Sequence, residues 1–390
     1  SGTAGSTFEY SFQKPSRVLA EGQQNTAKSL SSHVLNSGEK PEGNPLAVYA
    51  LRGSGDSLEI IPLKNTGDAL DGWRVEVFYR KIVDGQVDYL NPKAIRSFLN
   101  YTREEYWKRF GKYFGSRIPG IFFDEIYMAA HPLPWTDAFP REFEKRRGYD
   151  LMQELPRLTE DGGRRGRQVR QDYFRTAAEL YEEAFFKQIS DWCEKHNLKL
   201  TGHTEEGLLW HPCRQGNYFA TMRHLQIPGA DNHDYRYRFP RKITYCEPKY
   251  AVSVARLFGK KRCMSEAMGG AGWGCSLEQF KRGINVLGAM GISMFTLHGF
   301  YYECRTQGEQ GDWPASFFYQ NPYWKYFKRF SQYVSRVCYM NTIGKPVVDV
   351  GLYYPIEIIQ AETVNGLPNE NARSLDKGFH AVLNGLIEHQ

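Results

Sequence analysis

From about residue 90 onward the chain repeats one hydrophobic rhythm: apolar residues at helical spacing, then a short apolar run that closes on acids or histidines. Asn91-Pro92 marks a helix start, since Asn caps free backbone N–H groups and Pro suits the first turn. Ile95, Phe98, Leu99, Thr102, Tyr106, Phe110 and Tyr113 then follow a helical period, and Gly115 ends it. The run from Ile118 to Phe123 comes next and closes on Asp124-Glu125. A helix over 169–196 leads to a strand from Leu198 that ends at Gly202-His203-Thr204-Glu205-Glu206. Shorter helices at 218–225 and 249–258 lead to strands ending at Asp231 and Glu266. A helix over 277–290 leads to a strand ending at His298, and a last helix over 322–340 precedes a strand-like run at 347–354.

The first 90 residues read differently. They are rich in Gly, Ser and polar residues, with strand character at 46–51, 58–61 and 73–79 and turn signals at Gly53-Ser54-Gly55-Asp56 and Gly67-Asp68. The expected organisation is a β-rich insertion over 1–88, a (β/α) catalytic part over 89–345, and the start of a further region over 346–390.

Successive helix–strand units make an α/β fold with a parallel sheet the default. A nucleotide-binding open sheet would carry a glycine-rich phosphate turn after one strand, and neither G-x-G-x-x-G nor G-x-x-x-x-G-K-[ST] occurs. Polar residues instead gather at the C-terminal ends of several strands, as in the active site of a (β/α)8 TIM barrel. The barrel is therefore the expected architecture.

Composition narrows the function classes. Aromatic residues make up 15% of the chain, an excess that suits stacking against sugar C–H faces, although most must simply fill the core. The net charge of +6 is spread without long blocks, and the densest basic stretch, Arg164-Arg165-Gly166-Arg167 with Arg170, reads as a loop entering a helix. Nothing else suggests nucleic acid as a partner, and no apolar run is long enough to span a bilayer. Seven cysteines without C-x-x-C argue against a disulfide framework and a structural zinc site. There is no H-E-x-x-H and no G-x-S-x-G.

Glycoside hydrolysis needs two carboxyl groups flanking the scissile bond, one to protonate the leaving oxygen and one to attack or to activate water. Glu125 and Glu266 suit these roles, each at the end of an apolar strand; the competing reading of either is a solvated or ion-paired loop acid. Glu266 precedes the glycine-rich loop Gly269–Gly274, which offers Trp273 as a stacking surface. Asp124, Glu205, His298 and Tyr301 are further candidates for binding substrate. His203 could hold a hydroxyl, orient a carboxylate, bind a metal or serve as a core hydrogen-bonding residue. Asp231, His233 and Asp234 could line a subsite or offer oxygens to Ca²⁺, and Arg305, Asp312 and Trp313 lie in the loop beyond His298. Cys213 and Cys263 read as buried hydrophobes in preference to nucleophiles.

Taken in order, several motifs resemble the α-L-rhamnosidases of glycoside hydrolase family 106. They are Tyr89-Leu90-Asn91-Pro92, Lys108–Gly115, Gly120–Glu125, Gly202-His203-Thr204, Ser265–Gly269 with Gly272-Trp273-Gly274, and Pro314–Pro322. The resemblance spans about 85–355 and implies a (β/α)8 barrel, inverting hydrolysis by two glutamates falling on Glu125 and Glu266, and a Ca²⁺ ion that helps to bind sugar. It departs at one place: the family pattern separates Asp from Glu by two residues, whereas Asp124 and Glu125 are adjacent. Ser1–Gly5 resembles the loop after the family's third barrel strand, so the expectation is a part of the barrel holding strands four to eight. Another sugar specificity, a retaining mechanism, or a carbohydrate-binding relative without catalysis remain open alternatives, and the resemblance does not fix the location (secreted, periplasmic or cytoplasmic).

Overall fold

The computed structural model describes residues 16–36, 39–68, 71–128, 133–204, 209–232, 246–304, 316–344 and 346–389. Two sheets organise it. The first is antiparallel and is built from β1 (Thr26–Leu35), β2 (Ala47–Arg52), β3 (Glu59–Leu63) and β4 (Arg74–Val87). The second is parallel, with β5 (Gly120–Phe123), β7 (Lys199–Gly202), β8 (Ile227–Asn232), β9 (Met264–Ala267) and β10 (Met294–Leu297) adjacent in chain order. Between β5 and β7 the chain adds β6 (Pro134–Trp135), which pairs with β1 and so fastens the connection after β5 to the antiparallel sheet.

Helices connect the parallel strands, as a right-handed crossover requires. Gly163–Tyr181 continues through a π-turn at Glu182–Lys187 into Gln188–Lys195 before β7; Cys246–Leu257 precedes β9, and Leu277–Met290 precedes β10. The helix after Asn91 starts as its sequence predicts, with the Asn91 side chain accepting from Lys93 N and Pro92 in the first turn. Leu277–Met290 has a capping box between Ser276 and Gln279 and ends on the left-handed Gly291. The result is a mixed α/β fold whose parallel sheet curls into a half-barrel, with five parallel strands among the described residues. No helix among those residues is long and apolar enough to cross a membrane.

Two expectations need revision. The run at 347–354 is not a strand: it has no partner in either sheet, and Val347, Val350 and Tyr353 are exposed. β-branched composition favours extended backbone, but without a neighbouring strand its N–H and C=O groups gain nothing from a ladder. Conversely, β1 pairs with β4 over most of its length although its sequence, Thr26-Ala27-Lys28-Ser29-Leu30-Ser31-Ser32-His33, carries few β-formers. The basic run near Arg164 enters the first turn of Gly163–Tyr181, where Arg165 pairs with Glu154 at 2.7 Å.

The largest core lies between the antiparallel sheet and the helices, where Tyr49, Leu51 and Phe78 meet Phe139, Tyr173 and Phe174. It reaches the outer face of β5, where Phe123 packs edge-on against Phe185 and Phe186. A second core, including Ala230, Ala267, Ile284 and Leu287, backs the other end of the parallel sheet. The concave face has its own small apolar layer, formed by Phe122, Ile227 and Met264 with Met294 against them.

Asp88 ties the end of β4 to the residues flanking β1 and β6. It is buried directly after β4, accepts from Thr136 Oγ1 at 2.6 Å and from Leu90 N at 3.1 Å, and its own N–H donates to Asn25 O. Burial pushes its carboxyl up to about 7 against the opposing Thr136 hydrogen bond and Lys28 charge. The folded chain thus favours the protonated acid, and stability should fall as pH rises from the ordinary value of 3.8 through 7. Asp88→Asn keeps an acceptor and removes the charge, so at pH 8 it should be more stable than the parent by about 1–4 kcal/mol, read as a higher melting temperature. The gap should close near pH 4; a gap independent of pH would refute the shift.

Candidate active site

Alternation along the parallel strands decides which side chains meet. Asp231 is the register partner of Glu266, and Glu266 that of Thr296. Stepping back two residues along each strand reaches Gly229, Met264 and Met294, of which the two methionines belong to the apolar layer. On β7 and β5 the same parity selects Thr201 with His203 and Phe122 with Asp124. The concave face therefore carries an apolar floor and, one step further toward the strand C-termini, a layer of Asp124, His203, Asp231, Glu266 and Thr296.

His203 is the centre of that layer. It is 1% exposed, and its Nε2 lies 2.8 Å from Glu266 Oε2 and 3.2 Å from Asp124 Oδ1. Burial alone would disfavour a charged imidazole, but the hydrogen bonds to Asp124 and Glu266 and the charges of Glu266 and Asp231 outweigh it and raise its pKa well above the ordinary 6.5. The strand reaches this position through Gly202, whose φ of 152° and closeness to Phe123 O leave no room for a Cβ.

Glu125 arrives by a different route. Continued extension would send it to the opposite side from Asp124. Its φ of 29° instead turns the chain, and a Glu125 carboxylate oxygen lies within 4.8 Å of both a His203 ring nitrogen and an Asp231 oxygen. Both sequence-predicted glutamates thus reach the same histidine. Asp124, expected to bind substrate, is also a direct partner of His203.

The other predicted residues form the surroundings. Trp273 is exposed on the loop after β9, and His298, at the end of β10, meets Tyr301 edge-on at 6.3 Å. Glu205 lies outside the described residues, as do Glu206, His233, Asp234, Arg305, Asp312 and Trp313. Thr296 was not anticipated. Its buried hydroxyl has no hydrogen-bond partner among the described residues, and the Phe295-Thr296-Leu297 alternation was the available signal. Burial pushes the Cys213 and Cys263 thiols up to about 12 and about 11, so neither supplies a thiolate at neutral pH.

Two sets of possible metal ligands occur, Asp124 with His203 and Glu266, and Glu125 with His203 and Asp231. Both depend on His203, whose Nε2 already faces the Asp124 and Glu266 carboxylates. Ca²⁺ takes six to eight oxygens. Each set brings two carboxylates and one imidazole, short of that number.

The family model for alpha-L-rhamnosidase, glycoside hydrolase family 106, matches residues 81–376. A Formosa agariphila protein named "Putative beta-glucuronidase" is 25% identical over 283 residues, covering 68% of this chain and 22% of that protein. The solved rhamnosidase from Novosphingobium sp. PP1Y shares the fold with a TM-score of 0.56 at 20% identity, over 73% of this chain and 30% of its own. The chain therefore spans less than a third of the length of either.

The charged state of His203 gives a test independent of substrate. Stability drawn from its two carboxylate contacts should be fully present below pH 6.5 and lost as pH rises through the elevated native pKa. Between pH 6 and pH 9 the parent should lose more melting temperature than His203→Gln. Equal losses would mean that folding does not raise the His203 pKa.

Proposed function

The chain belongs to glycoside hydrolase family 106, and on that footing we propose that it carries the catalytic centre of an inverting α-L-rhamnosidase with Glu125 and Glu266 as the reacting carboxyls. The five parallel strands are read as strands four to eight of a (β/α)8 barrel, with the site at their C-terminal ends. The observation that carries the reading is the buried His203, hydrogen-bonded to Glu266 at 2.8 Å and within 4.8 Å of Glu125.

The roles follow from position. Glu266, which the His203 ring holds at 2.8 Å, is read as the base that takes a proton from the attacking water. Glu125, on the turn, is left as the acid that protonates the departing glycosidic oxygen. The proton lost by water goes to Glu266, the aglycone leaves with the proton of Glu125, and the sugar is released with inverted configuration. Trp273, His298 and Tyr301 are read as walls of the sugar subsite, Glu205 as a hydroxyl-binding residue on the loop after β7, and Asp124 and Asp231 as the acids that keep His203 charged.

A second reading concerns the sugar. The name of the Formosa relative favours a glycosidase acting on a β-glucuronide. Aryl α-L-rhamnoside and aryl β-D-glucuronide offered to the full-length protein separate the two. Glu125→Gln and Glu266→Gln should each lower kcat on the accepted substrate by about 100-fold or more, the usual span for a general acid or base. Full activity in either variant removes that residue from the pair. NMR of the first-formed anomer should show inversion; retention would replace the base with a nucleophile.

A further inference from the structure

The backbone that follows Glu125 is tied down more heavily than its lack of secondary structure suggests. The Ile126 carbonyl accepts two hydrogen bonds, from Tyr181 Oη at 2.7 Å and from Gln215 Nε2 at 3.0 Å. Next along, Tyr127 O accepts from Gln86 Nε2 at 2.9 Å, and Met128 N donates to Arg214 O at 2.9 Å. These partners come from three different elements: the last residue of the helix Gly163–Tyr181, the turn after the short helix His211–Arg214, and β4. Tyr181 and Gln215 are 0% and 1% exposed. Gln215 Oε1 lies 3.0 Å from His211 Nδ1, which fixes the amide so that its N–H points at Ile126.

The need for such restraint lies one residue earlier. A non-glycine residue at positive φ is strained by about 1–2 kcal/mol and persists only where its surroundings over-determine it. The turn at Glu125 is of this kind, and it is what brings that carboxylate to the His203 layer. The Ile126 carbonyl belongs to the Ile126–Tyr127 peptide, one unit beyond the Glu125–Ile126 peptide that the turn orients, so only the φ and ψ of Ile126 separate the held carbonyl from the Glu125 turn. The π-turn Glu182–Lys187 begins directly after Tyr181 and places Phe185 and Phe186 against Phe123, so one helix segment supports both the strand and the turn that ends it.

We infer that Tyr181 and Gln215 are positioning residues for Glu125, acting through their shared hold on the Ile126 carbonyl. The proposal rests on the reading of Glu125 as the proton donor. Neither side chain needs to touch substrate. Loosening the clamp should leave the fold in place and let the Glu125 carboxyl wander from the glycosidic oxygen, and a misplacement of about 1 Å can lower a rate about 100-fold.

A proton donor matters only when the leaving group needs a proton, and this separates positioning from general destabilisation. The full-length protein is assayed on the phenyl and dinitrophenyl glycosides of whichever sugar it turns over. Tyr181→Phe removes only a hydroxyl, Gln215→Met keeps the length of the side chain without its amide, and the double variant removes both donors. For the double variant, kcat on the phenyl glycoside should fall by about 100-fold while the dinitrophenyl rate changes by less than about threefold. The ratio of the two rates does not depend on the fraction of protein that is folded. Equal slowing on both substrates would make Tyr181 and Gln215 structural residues only and overturn the proposal. So would no slowing on either, provided that Glu125→Gln still selectively slows the phenyl glycoside. If Glu125→Gln shows no such selectivity, the proton-donor assignment fails, and the proposal falls with it.

Discussion

A strand in a parallel sheet turns every second side chain to the same side, and the register between neighbours then decides which of those side chains share a row. Asp231, Glu266 and Thr296 form one such row, and the parity of β7 and β5 adds His203 and Asp124 beside it. A slip of one residue on β9 would exchange Glu266 for Ser265 and bury the carboxylate among Ala251, Ile284 and Leu287 on the convex side. The apolar floor of Phe122, Ile227 and Met264 excludes that slip, because it would carry Met264 out of its contacts as well. The core and the site are thus specified by one alternation.

Placing several acids around one partly buried site is unfavourable unless positive charge is set among them. His203 supplies it, with one ring nitrogen close to two carboxylates. The arrangement is reciprocal: the acids favour the charged imidazole, and the ring nitrogen holds the Glu266 carboxylate in place at 2.8 Å. Removing His203 would leave the buried Glu266 carboxylate without its partner, which is why one histidine can govern the whole layer. Asp124 is more exposed than Glu266, with side-chain accessibilities of 44% and 11%, so the interaction with Glu266 is the less screened of the two.

What could be read from the sequence followed from periodicity. Apolar runs closing on acids located the ends of β5, β8 and β9, and the cap at Asn91 marked a helix start, because these signals are local. Two kinds of feature escaped. β1 owes its extended form to pairing with β4, not to its own serine-rich composition, and 347–354 has the reverse character: strand-like residues without a partner. Pairing is a property of two segments, and neither segment reports it alone. For the same reason the strand ends named the candidate carboxylates but not their contacts. That His203 touches both Asp124 and Glu266, or that Tyr181 and Gln215 converge on Ile126, depends on residues tens of positions apart.

The adjacency of Asp124 and Glu125 is where sequence and structure bear on each other most closely. In extended chain, neighbouring side chains diverge to opposite faces, so two adjacent acids could not both serve one concave site. Two intervening residues would give the backbone room to complete a turn between the acids. Here the turn is compressed into a single left-handed residue, and both acids come to His203. The compression carries a strain that glycine would not have, yet glycine has no carboxyl to offer. The strain must then be borne by contacts just outside the turn, where the buried hydroxyl of Tyr181 and amide of Gln215 meet the Ile126 carbonyl. A shorter acid spacing and a doubly held carbonyl are in this sense two parts of one solution, the second making the first geometrically stable.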